Sequence, residues 1–523
     1  MPSEDGPDAR PIIATGRGVP DGESSLLLEV DLGLAPSDPE ALSLIPETYA
    51  LAHHVLPLEA ADGVLTVACA DPADGVLLRE VQVVSRHAVQ PLRAPGERIE
   101  EAIRERYQVL SGVEEHVRAF AQRRGVQQPA LVHEPITESS PVVQIVNLLI
   151  AQGLRDRASD IHIEPQQARL RIRFRIDGIL TDSLSLPRTM AAPLASRLKV
   201  MANMDIVDRH RAQDGQIRTH IEGRPIDIRV STAETIWGEK VVLRLLDQAR
   251  TVLHLDQLGL HEDGYGRLRR LLGSPYGMVV VSGPTGSGKT TTLYAAIREL
   301  DAQAQNIVTI EDPVEYTFED INQIQVRRVA NLNFANGLKA VLRQDPDVIL
   351  IGEIRDLETS EIAVQSALTG HLVLSSLHAT DAAGVVQRFL EMGIEGYLIS
   401  SALIGVVAQR LVRRTCTACT RPYQPGPPEL ALWQEHGGGY LEFRKGTGCP
   451  ACAQTGYRGR IGVFEVLTVS DEMKREISVR ASAQQIRELA CAEGMVPMRA
   501  AGVEMVAMGM TTLAEVMRCV WLN

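Results

Sequence analysis

The fold is decided by the stretch Val279-Val-Val-Ser-Gly-Pro-Thr-Gly-Ser-Gly-Lys-Thr290. β-Branched residues, which favour a buried strand, run into a glycine-rich loop, and residues 291–300 favour a helix. A strand, this loop and a helix in that order are the context in which the pattern G-x-x-x-x-G-K-T binds phosphates. A chance glycine-rich turn would need neither the strand nor the helix. The stretch therefore predicts a nucleoside triphosphate site.

The residue types of this loop suit phosphate chemistry. Glycines allow backbone N–H groups to turn inward around phosphate oxygens, and the N-terminus of the following helix adds partial positive charge. Lys289 is predicted to contact the β- and γ-phosphates, and Thr290 to offer its hydroxyl to Mg²⁺. The candidate nucleotide-binding residues are Gly283, Pro284, Thr285, Gly286, Ser287, Gly288, Lys289, Thr290 and Thr291.

Length and composition bound the class of protein. At 523 residues the chain is too long for a single core, and 45% hydrophobic with 23% charged residues is ordinary for a globular protein. The net charge of −13 argues against a broad basic face, so no direct nucleic-acid partner is expected. The acidic start is unlike a signal peptide, and no apolar run reaches the ~18 residues of a membrane span. We expect a cytosolic protein that reaches a membrane only through a partner.

Shifts in composition divide the chain into candidate domains. Residues 1–25 are rich in Pro, Gly, Asp and Ser and are predicted to be a disordered tail. Short apolar runs separated by turns predict a small N-terminal α/β domain at 26–108. The further predicted parts are a linker at 109–140, a second α/β domain at 141–250, the phosphate-loop domain at 255–415, a zinc-binding subdomain at 416–457 and a helical C-terminal subdomain at 458–523.

The second α/β domain is dense in arginine. Alternation along a predicted strand places four of them on one face, namely Arg169, Arg171, Arg173 and Arg175. They could form a solvated face, or some could meet a phosphate on a neighbouring subunit. Spacing alone favours the solvated face.

Four short apolar runs in the phosphate-loop domain are separated by helix-length segments, which is the pattern of a parallel sheet. The runs are 276–281, 306–310, 347–351 and 371–375. Open parallel sheets bind ligands at the carboxyl ends of their strands. Glu311, Glu353 and His378 all follow such ends, and we predict that they lie beside the phosphate loop. One carboxylate alone would more often be a helix cap, so the prediction depends on their convergence.

Two C-x-x-C pairs, Cys416 with Cys419 and Cys449 with Cys452, are separated by 29 residues. Four thiolates at this kind of spacing can surround tetrahedral zinc. Disulfides are disfavoured in a cytosolic chain, and a redox C-x-x-C would need only one pair. We predict a structural Zn²⁺ site, because protein ligands fill all four positions.

The C-terminal residues 468–523 are predicted to be helical. The segment Ser482-Ala-Gln-Gln485 has the form of a capping box, which begins a helix. Thr511 or Thr512 is placed to begin a last helix, whose apolar residues recur on one face.

These motifs together resemble those of the secretion ATPases of the GspE/PilB type, which power type II secretion and type IV pilus assembly. The similarity runs from about residue 140 to the end of the chain and is looser before it. The residues that carry it are Ala158-Ser-Asp-Ile-His-Ile-Glu-Pro165, Phe174-Arg-Ile-Asp-Gly178, Gln213-Asp-Gly215, the phosphate loop, Glu311-Asp-Pro-Val-Glu315, Leu342-Arg-Gln-Asp-Pro-Asp-Val348, Gly352-Glu-Ile-Arg-Asp356, Thr369-Gly-His-Leu372, Leu377-His378, Ala408-Gln-Arg-Leu411 and the four cysteines.

The resemblance implies a multidomain α/β fold. A RecA-like motor domain with a parallel sheet would follow a PAS-like α/β domain and a small N-terminal α/β domain, with a zinc-knuckle insertion and a helical C-terminus. It implies ATP as substrate, with Mg²⁺ and Zn²⁺ bound. It also implies a homo-hexamer in which the middle domain lends Arg229 and Arg244 to the nucleotide of its neighbour. Residues 1–140 would bind inner-membrane platform proteins, which places the protein at the inner face of the membrane.

The resemblance also suggests roles for the three convergent residues. They fall in the family's Asp box (311–315), an atypical Walker B motif (349–353) and a His box around His371 and His378. Gly352 stands where a usual Walker B strand has aspartate, so one carboxylate must help the metal and another must orient water. We assign Glu353 to Mg²⁺ and Glu311 to water, with the reverse assignment open, and we expect His378 to sense the γ-phosphate.

The sequence departs from the family's pattern at one position and leaves functional alternatives open. Gln216 stands where the family usually has arginine, and Arg218 follows two residues later. The sequence does not separate a secretion pseudopilus from a surface pilus. A nucleic-acid translocating or DNA-uptake motor is the alternative function, although the acidic net charge argues against it. A non-hydrolysing scaffold is a third possibility, against which the retained carboxylates argue.

Overall fold

The structure is a computed structural model. It describes residues 44–61 and 63–100, shorter segments elsewhere between residues 30 and 120, and then residues 140–221, 224–247, 253–327, 332–436 and 438–521. The predicted tail at 1–25 and most of the predicted linker at 109–140 lie outside the described residues. The chain divides into two compact units, residues 1–249 with 446–457, and residues 250–445 with 458–523.

The first unit begins with a small α/β fold. Its elements are α1 (Glu47–His53), β1 (Val55–Ala61), β2 (Val64–Cys69), α2 (Gly75–Ser85) and β3 (Ala88–Arg93). Strand β2 lies in the middle of the sheet, antiparallel to β1 and parallel to β3. Its residues from Leu65 to Cys69 are all buried, as expected of a central strand, and all but Thr66 are apolar.

The first unit continues with a six-stranded antiparallel sheet. Its elements are α3 (Pro141–Arg155), β4 (Ala158–Pro165), β5 (Arg169–Ile176), β6 (Ile179–Pro187), α4 (Ala191–Met201), β7 (Gln213–Ile221), β8 (Arg224–Thr235) and β9 (Gly238–Asp247). The strand order is β6-β5-β4-β9-β8-β7. Helix α3 packs on β4 and α4 packs on β9, so one face is buried and the other is polar. The predicted turn Asp177-Gly178 joins β5 to β6 with positive φ at both residues, as a tight hairpin requires.

The second unit is built around the phosphate loop. Its first elements are α5 (Glu262–Leu272), β10 (Gly277–Ser282), α6 (Lys289–Arg298), β11 (Ile307–Glu311), β12 (Asn322–Gln325), α7 (Phe334–Val341), β13 (Val348–Ile351), α8 (Leu357–Leu368), β14 (Leu372–Leu377), α9 (Ala382–Glu391), α10 (Gly396–Ala402) and β15 (Leu403–Thr415). The elements that follow in the chain are β16 (Thr420–Pro422), α11 (Pro427–Glu435), β17 (Arg444–Gly446), β18 (Tyr457–Thr468), α12 (Asp471–Ser478), α13 (Ala483–Ala492), α14 (Met498–Ala507) and α15 (Leu513–Val516).

A seven-stranded sheet forms the centre of the second unit, in the order β12-β11-β13-β14-β10-β15-β18. The strands from β12 to β15 in this order run parallel. Strands β10, β11, β13 and β14 are buried along their whole length, because both faces of the sheet are covered. Their carboxyl ends share one edge, where the phosphate loop emerges from β10.

The structure confirms the predicted fold class, a mixed α/β chain with a parallel sheet and a helical C-terminus. All four predicted parallel strands are present, and the predicted capping box forms, since Ser482 N–H donates to Gln485 Oε1 at 2.9 Å. The sequence analysis did not predict strands β15 and β18. Among the described residues, no helix is both long enough and apolar enough to cross a membrane.

Candidate active site

The phosphate loop links buried strand β10 to helix α6. Gly286 and Gly288 have φ of 78° and 88°, and Gly283 has φ of 149°, in a region that favours glycine. A Cβ added at Gly283 would lie 2.5 Å from the carbonyl oxygen of Gln409 and 2.6 Å from Ser287 Oγ. The loop can therefore form only with glycine here. Thr290 and Thr291 begin the helix and are exposed.

Lys289 lies over the loop that precedes it. Its Nζ donates to the carbonyl oxygens of Gly283 at 2.9 Å and Pro284 at 3.1 Å. Burial lowers the pKa of Lys289, and the charge of Arg410 lowers it further, whereas the carboxylate of Glu353 raises it. These opposing effects show that Lys289, Glu353 and Arg410 share one electrostatic environment.

Glu353 and His378 meet at the carboxyl edge, beyond the ends of the neighbouring strands β13 and β14. His378 Nε2 lies 3.9 Å from Glu353 Oε2, and Arg355 lies 2.5 Å from Glu353 Oε1. Burial and the charge of Lys289 lower the pKa of His378, although Glu353 opposes them. The imidazole is therefore neutral near pH 7. The structure thus brings Glu353, His378 and Lys289 together as the sequence predicted.

Gly352, which stands in place of the aspartate of a usual Walker B strand, lies close to strand β11. Its N–H donates to the carbonyl oxygen of Ile310 at 2.8 Å, and an added Cβ would lie 3.3 Å from that oxygen and 3.4 Å from the Cα of Glu311. A side chain at this position would therefore need the backbone of β11 to shift by a few tenths of an ångström.

Glu311 also lies at the carboxyl edge, but its side chain points into the protein. It is only 3% exposed. Its Oε2 accepts a hydrogen bond from Tyr294 at 2.5 Å, and its Oε1 accepts from Thr309 at 2.7 Å and from Gln323 at 3.2 Å. Glu353, with 16% of its side chain exposed, is the more accessible of the two carboxylates.

The two histidines of the His box lie at opposite ends of β14. His371 precedes the strand, and its Nδ1 lies 2.9 Å from the carbonyl oxygen of Ser366. His378 follows the strand at the carboxyl edge. Only His378 is therefore placed near the phosphate loop.

Strand β15 borders the loop on its other side. Gln409 Nε2 donates to the carbonyl oxygen of Ser287 at 2.6 Å, and Arg410 donates to that of Thr380 at 2.6 Å. Gln409 is 1% exposed and Arg410 is 8% exposed. This adjacent pair therefore connects the phosphate loop with the segment that follows His378.

Arg229 and Arg244 lie in the first unit, directly opposite each other on β8 and β9. Arg244 Nε lies 3.0 Å from Asp160 Oδ1, and its side chain is 62% exposed. Gln216 is the cross-strand neighbour of Arg229, and its amide contacts Asp227 at 2.6 Å. The two predicted arginines thus form one row on the polar face of the six-stranded sheet.

The arginine stripe of β5 faces one side of the sheet, as predicted. Arg171 lies 2.8 Å from Asp182, Arg173 lies 2.8 Å from Glu164, and Arg175 lies 3.6 Å from Asp160. Carboxylates of the same sheet therefore neutralise three of its four members, which favours the solvated, ion-paired face.

The four predicted zinc ligands lie together. The Sγ atoms of Cys416, Cys419, Cys449 and Cys452 are all within 4.8 Å of one another, and all but Cys449 are buried. The Sγ atoms of Cys449 and Cys452 are 3.7 Å apart, close to the ~3.8 Å expected for thiolates around tetrahedral zinc. The N–H groups of Cys449 and Gly456 point at Cys452 Sγ, as donors to a thiolate do. The donor set fits Zn²⁺.

Sequence analysis missed Tyr294, Gln409 and Arg410 as members of this site. Tyr294 lies on the helix that starts at the phosphate loop, and this position in the sequence could have identified it as a neighbour of the site. Gln409 and Arg410 were recognised only as part of a family motif, because no local pattern places β15 beside β10.

Comparisons with known proteins show the family of this chain. The family model described as "Type II/IV secretion system protein" matches residues 136–518, and the model described as "MshEN domain" matches residues 25–112. The type II secretion system protein HxcR of Pseudomonas aeruginosa is 48% identical over 381 residues, which cover 73% of this chain and 78% of HxcR. The type IV pilus assembly ATPase PilB of Myxococcus xanthus is 40% identical over 491 residues, covering 92% of this chain and 86% of PilB.

A solved structure supports the fold. The Legionella pneumophila ATPase DotB superposes with a TM-score of 0.53 at 19% identity, covering 74% of this chain and 96% of DotB. At that identity the likeness concerns the fold alone. The family match and the two relatives carry the further conclusion that this chain is an ATPase of the type II/IV secretion system protein family.

Proposed function

We propose that this chain is a cytoplasmic ATPase that works as a homo-hexamer and drives assembly of a type II secretion pseudopilus or a type IV pilus. The meeting of Lys289, Glu353 and His378 at the carboxyl edge of the parallel sheet carries the proposal. Hydrolysis of ATP needs a cation against the phosphates and a carboxylate at the metal or water. The secretion and pilus functions come from the names of the relatives HxcR and PilB.

The loop residues take the roles expected of a phosphate site. Their backbone N–H groups and Lys289 would bind the phosphates, and the exposed hydroxyl of Thr290 would hold Mg²⁺ together with Glu353. The ion would supply positive charge against the phosphate oxygens when bound. His378, neutral and 3.9 Å from Glu353, would sense the γ-phosphate.

An assembly would complete this site. In the described part of the second unit, Arg355 is paired with Glu353 and Arg410 donates to backbone carbonyls. Phosphoryl transfer benefits from an arginine directed at the γ-phosphate. We propose that Arg229 and Arg244 of an adjoining copy supply this charge, which is why the active form is a ring.

We propose that residues 1–140 bind an inner-membrane platform protein. A separate family model covers residues 25–112, which supports a module distinct from the motor. The four cysteines would hold a structural Zn²⁺, since protein ligands fill all four positions.

Removal of the lysine charge tests the phosphate site. Lys289→Ala should lower ATP turnover by about 10³-fold or more, because the β- and γ-phosphates lose their cation. Lys339→Ala is the matched control, since that lysine is 49% exposed and pairs with Glu358 on the surface. The control should retain full turnover in a phosphate-release assay. Normal turnover by Lys289→Ala would reject the site.

The biological role is tested in the native host. In a strain lacking this chain, wild type and Lys339→Ala should restore secretion or surface pili, and Lys289→Ala should restore neither. If all three restore both, or if duplex DNA rather than a membrane partner stimulates turnover of the purified chain, the proposed role is wrong and a nucleic-acid motor is favoured.

A further inference from the structure

A buried hydrogen-bond network joins helix α6, which begins at the phosphate loop, to the acidic loop that follows β11. Tyr294 is 1% exposed and Glu311 is 3% exposed. The Tyr294 hydroxyl donates to Glu311 Oε2 at 2.5 Å and accepts from the N–H of Glu315 at 3.1 Å. Thr309 and Gln323 donate to the other carboxylate oxygen of Glu311. One hydroxyl therefore holds both the first and the last residue of the acidic loop, 311–315.

The direction of these hydrogen bonds is fixed. Burial raises the pKa of Tyr294, and the Glu311 carboxylate raises it further, so the phenol keeps its proton at any working pH. The proton lies toward Glu311, which leaves the phenol oxygen to accept from Glu315. Loss of the hydroxyl would leave a buried carboxylate short of a donor and a backbone N–H short of an acceptor.

The surroundings of the two carboxylates differ. Glu353 is accessible and lies beside His378, in the electrostatic environment of Lys289. Glu311 faces Tyr294 and the interior of the sheet. The exposed acids of its loop are instead Asp312 and Glu315. A carboxylate with 3% exposure has no open face from which to orient an attacking water.

We infer that Tyr294 is a positioning residue for ATP hydrolysis and that Glu311 acts through it rather than on the nucleotide or its water. Tyr294 lies 5 residues after Lys289 on the same helix, so it fixes the acidic loop relative to the lysine that holds the phosphates. Glu353 is then the carboxylate that faces the phosphates, and Glu311 anchors the loop from behind. This inference rests on the proposed function, and it replaces the water-orienting role suggested for Glu311 by the sequence.

The chain offers a clean variant for this inference. The Tyr294 ring packs edge-on against Phe318 at 5.2 Å and against Tyr316 at 6.1 Å. Tyr294→Phe keeps these ring contacts and removes only the hydroxyl. Tyr397→Phe is the matched control, because that tyrosine is 62% exposed in the same unit.

Steady-state ATP hydrolysis by the full-length chain is the measurement. Tyr294→Phe should lower kcat by about ten- to hundredfold, the usual effect of losing a hydrogen bond to a charged group. KM for ATP and the half-saturating Mg²⁺ concentration should stay within about twofold, because no group that binds them is removed. Tyr397→Phe should match wild type in every constant.

A double-variant comparison separates positioning from general damage. Glu311→Gln should lower kcat about as much as Tyr294→Phe does. The double variant should have the same kcat as the less active of the two single variants, because the two residues act as one unit. Combining Tyr294→Phe with Glu353→Gln should instead multiply the two losses. If Tyr294→Phe folds poorly, Glu311→Gln tests the same positioning role in its place.

Three results would overturn the inference. They are wild-type kcat for Tyr294→Phe, a rise in KM that accounts for its loss, and multiplied losses when it is combined with Glu311→Gln. Failure of the proposed function looks different, because wild type and Tyr397→Phe would then also fail to hydrolyse ATP.

Discussion

The carboxylate of Glu515 connects the last short helix, α15, to strand β15. Glu515 is 1% exposed. Its carboxylate accepts hydrogen bonds from Arg413 of β15 at 2.8 Å and from Arg518, three residues later in the chain, at 2.9 Å. Burial alone would raise the pKa of Glu515, but the hydrogen bonds from Arg518 and Arg413 outweigh it and lower the pKa to about 2. The charged carboxylate is therefore a stabilising part of the folded C-terminus.

The stability that Glu515 contributes should depend on pH in one direction. Its ordinary pKa is 4.5, so the contribution is complete above that pH and is lost as pH falls toward 2. Glu515→Gln should lower the local free energy of unfolding by about 3 kcal/mol at pH 7, measured by hydrogen exchange of the amides in 511–520. The gap between wild type and variant should narrow between pH 4.5 and 2.

An exposed ion pair provides the control for this prediction. Glu391 is 64% exposed and pairs with Arg388, so Glu391→Gln should change the local free energy by about 1 kcal/mol or less. A Glu515→Gln gap that is absent at pH 7, or that stays constant down to pH 3, would contradict the assigned role.

Single residues of the site differ in how far the sequence predicted them. Lys289, Glu353 and His378 follow strands of a parallel sheet, and this rule alone brought them to one edge. The inward direction of Glu311 was not predictable, because its donor Tyr294 comes from a helix 17 residues earlier. Side-chain direction at a strand end depends on such partners, and no pattern around Glu311 reports them.

At the scale of elements, the cysteine pairs flank a small two-stranded sheet. Strands β16 and β17 pair with each other, β16 directly after Cys419 and β17 shortly before Cys449. A two-stranded sheet is marginally stable by itself. Ligation of all four thiolates would supply the missing stability, since metal binding is coupled to local folding.

We therefore predict about one zinc per chain in native protein, because Cys₄ sites bind a single ion. Elemental analysis measures it. Cys416→Ser should lose the metal, and hydrogen exchange of Thr420–Pro422 and Arg444–Gly446 should accelerate. Cys491→Ser, outside the cluster, should keep both metal and protection. Metal-free native protein whose four cysteine thiols all label freely would rule out the site.

Strand prediction succeeded where a strand is mainly apolar and failed where buried polar residues interrupt it. Strands β10, β11, β13 and β14 are mainly apolar and buried along their whole length, and each was predicted within about two residues. Strand β15 contains Gln409 and Arg410, which are buried only because the phosphate loop and the segment after His378 accept their hydrogen bonds. Those partners are distant in sequence, so the local pattern around Gln409 and Arg410 did not predict a strand.

At the scale of the whole molecule, the chain contains two units with separate chemical contributions. The second unit carries the phosphate loop, Glu353 and His378, and the first unit carries the row that includes Arg229 and Arg244. An arginine directed at the γ-phosphate is worth roughly 10³–10⁵ in rate. If that arginine comes from an adjoining copy, a dilute monomer should bind ATP but hydrolyse it slowly.

The most direct test of this account mixes two inactive chains. The Arg229→Ala chain keeps an intact phosphate loop, and the Lys289→Ala chain keeps an intact Arg229. In randomly mixed rings, about a quarter of the interfaces therefore pair an intact arginine with an intact loop. A mixture of Lys289→Ala with the double variant Lys289→Ala/Arg229→Ala contains no intact loop and is the control. We predict that ATP turnover returns in the first mixture and not in the second, and that wild-type specific activity rises with protein concentration as rings assemble. Flat specific activity from monomer to ring, with no recovery in either mixture, would contradict the central claim that the site is completed between copies.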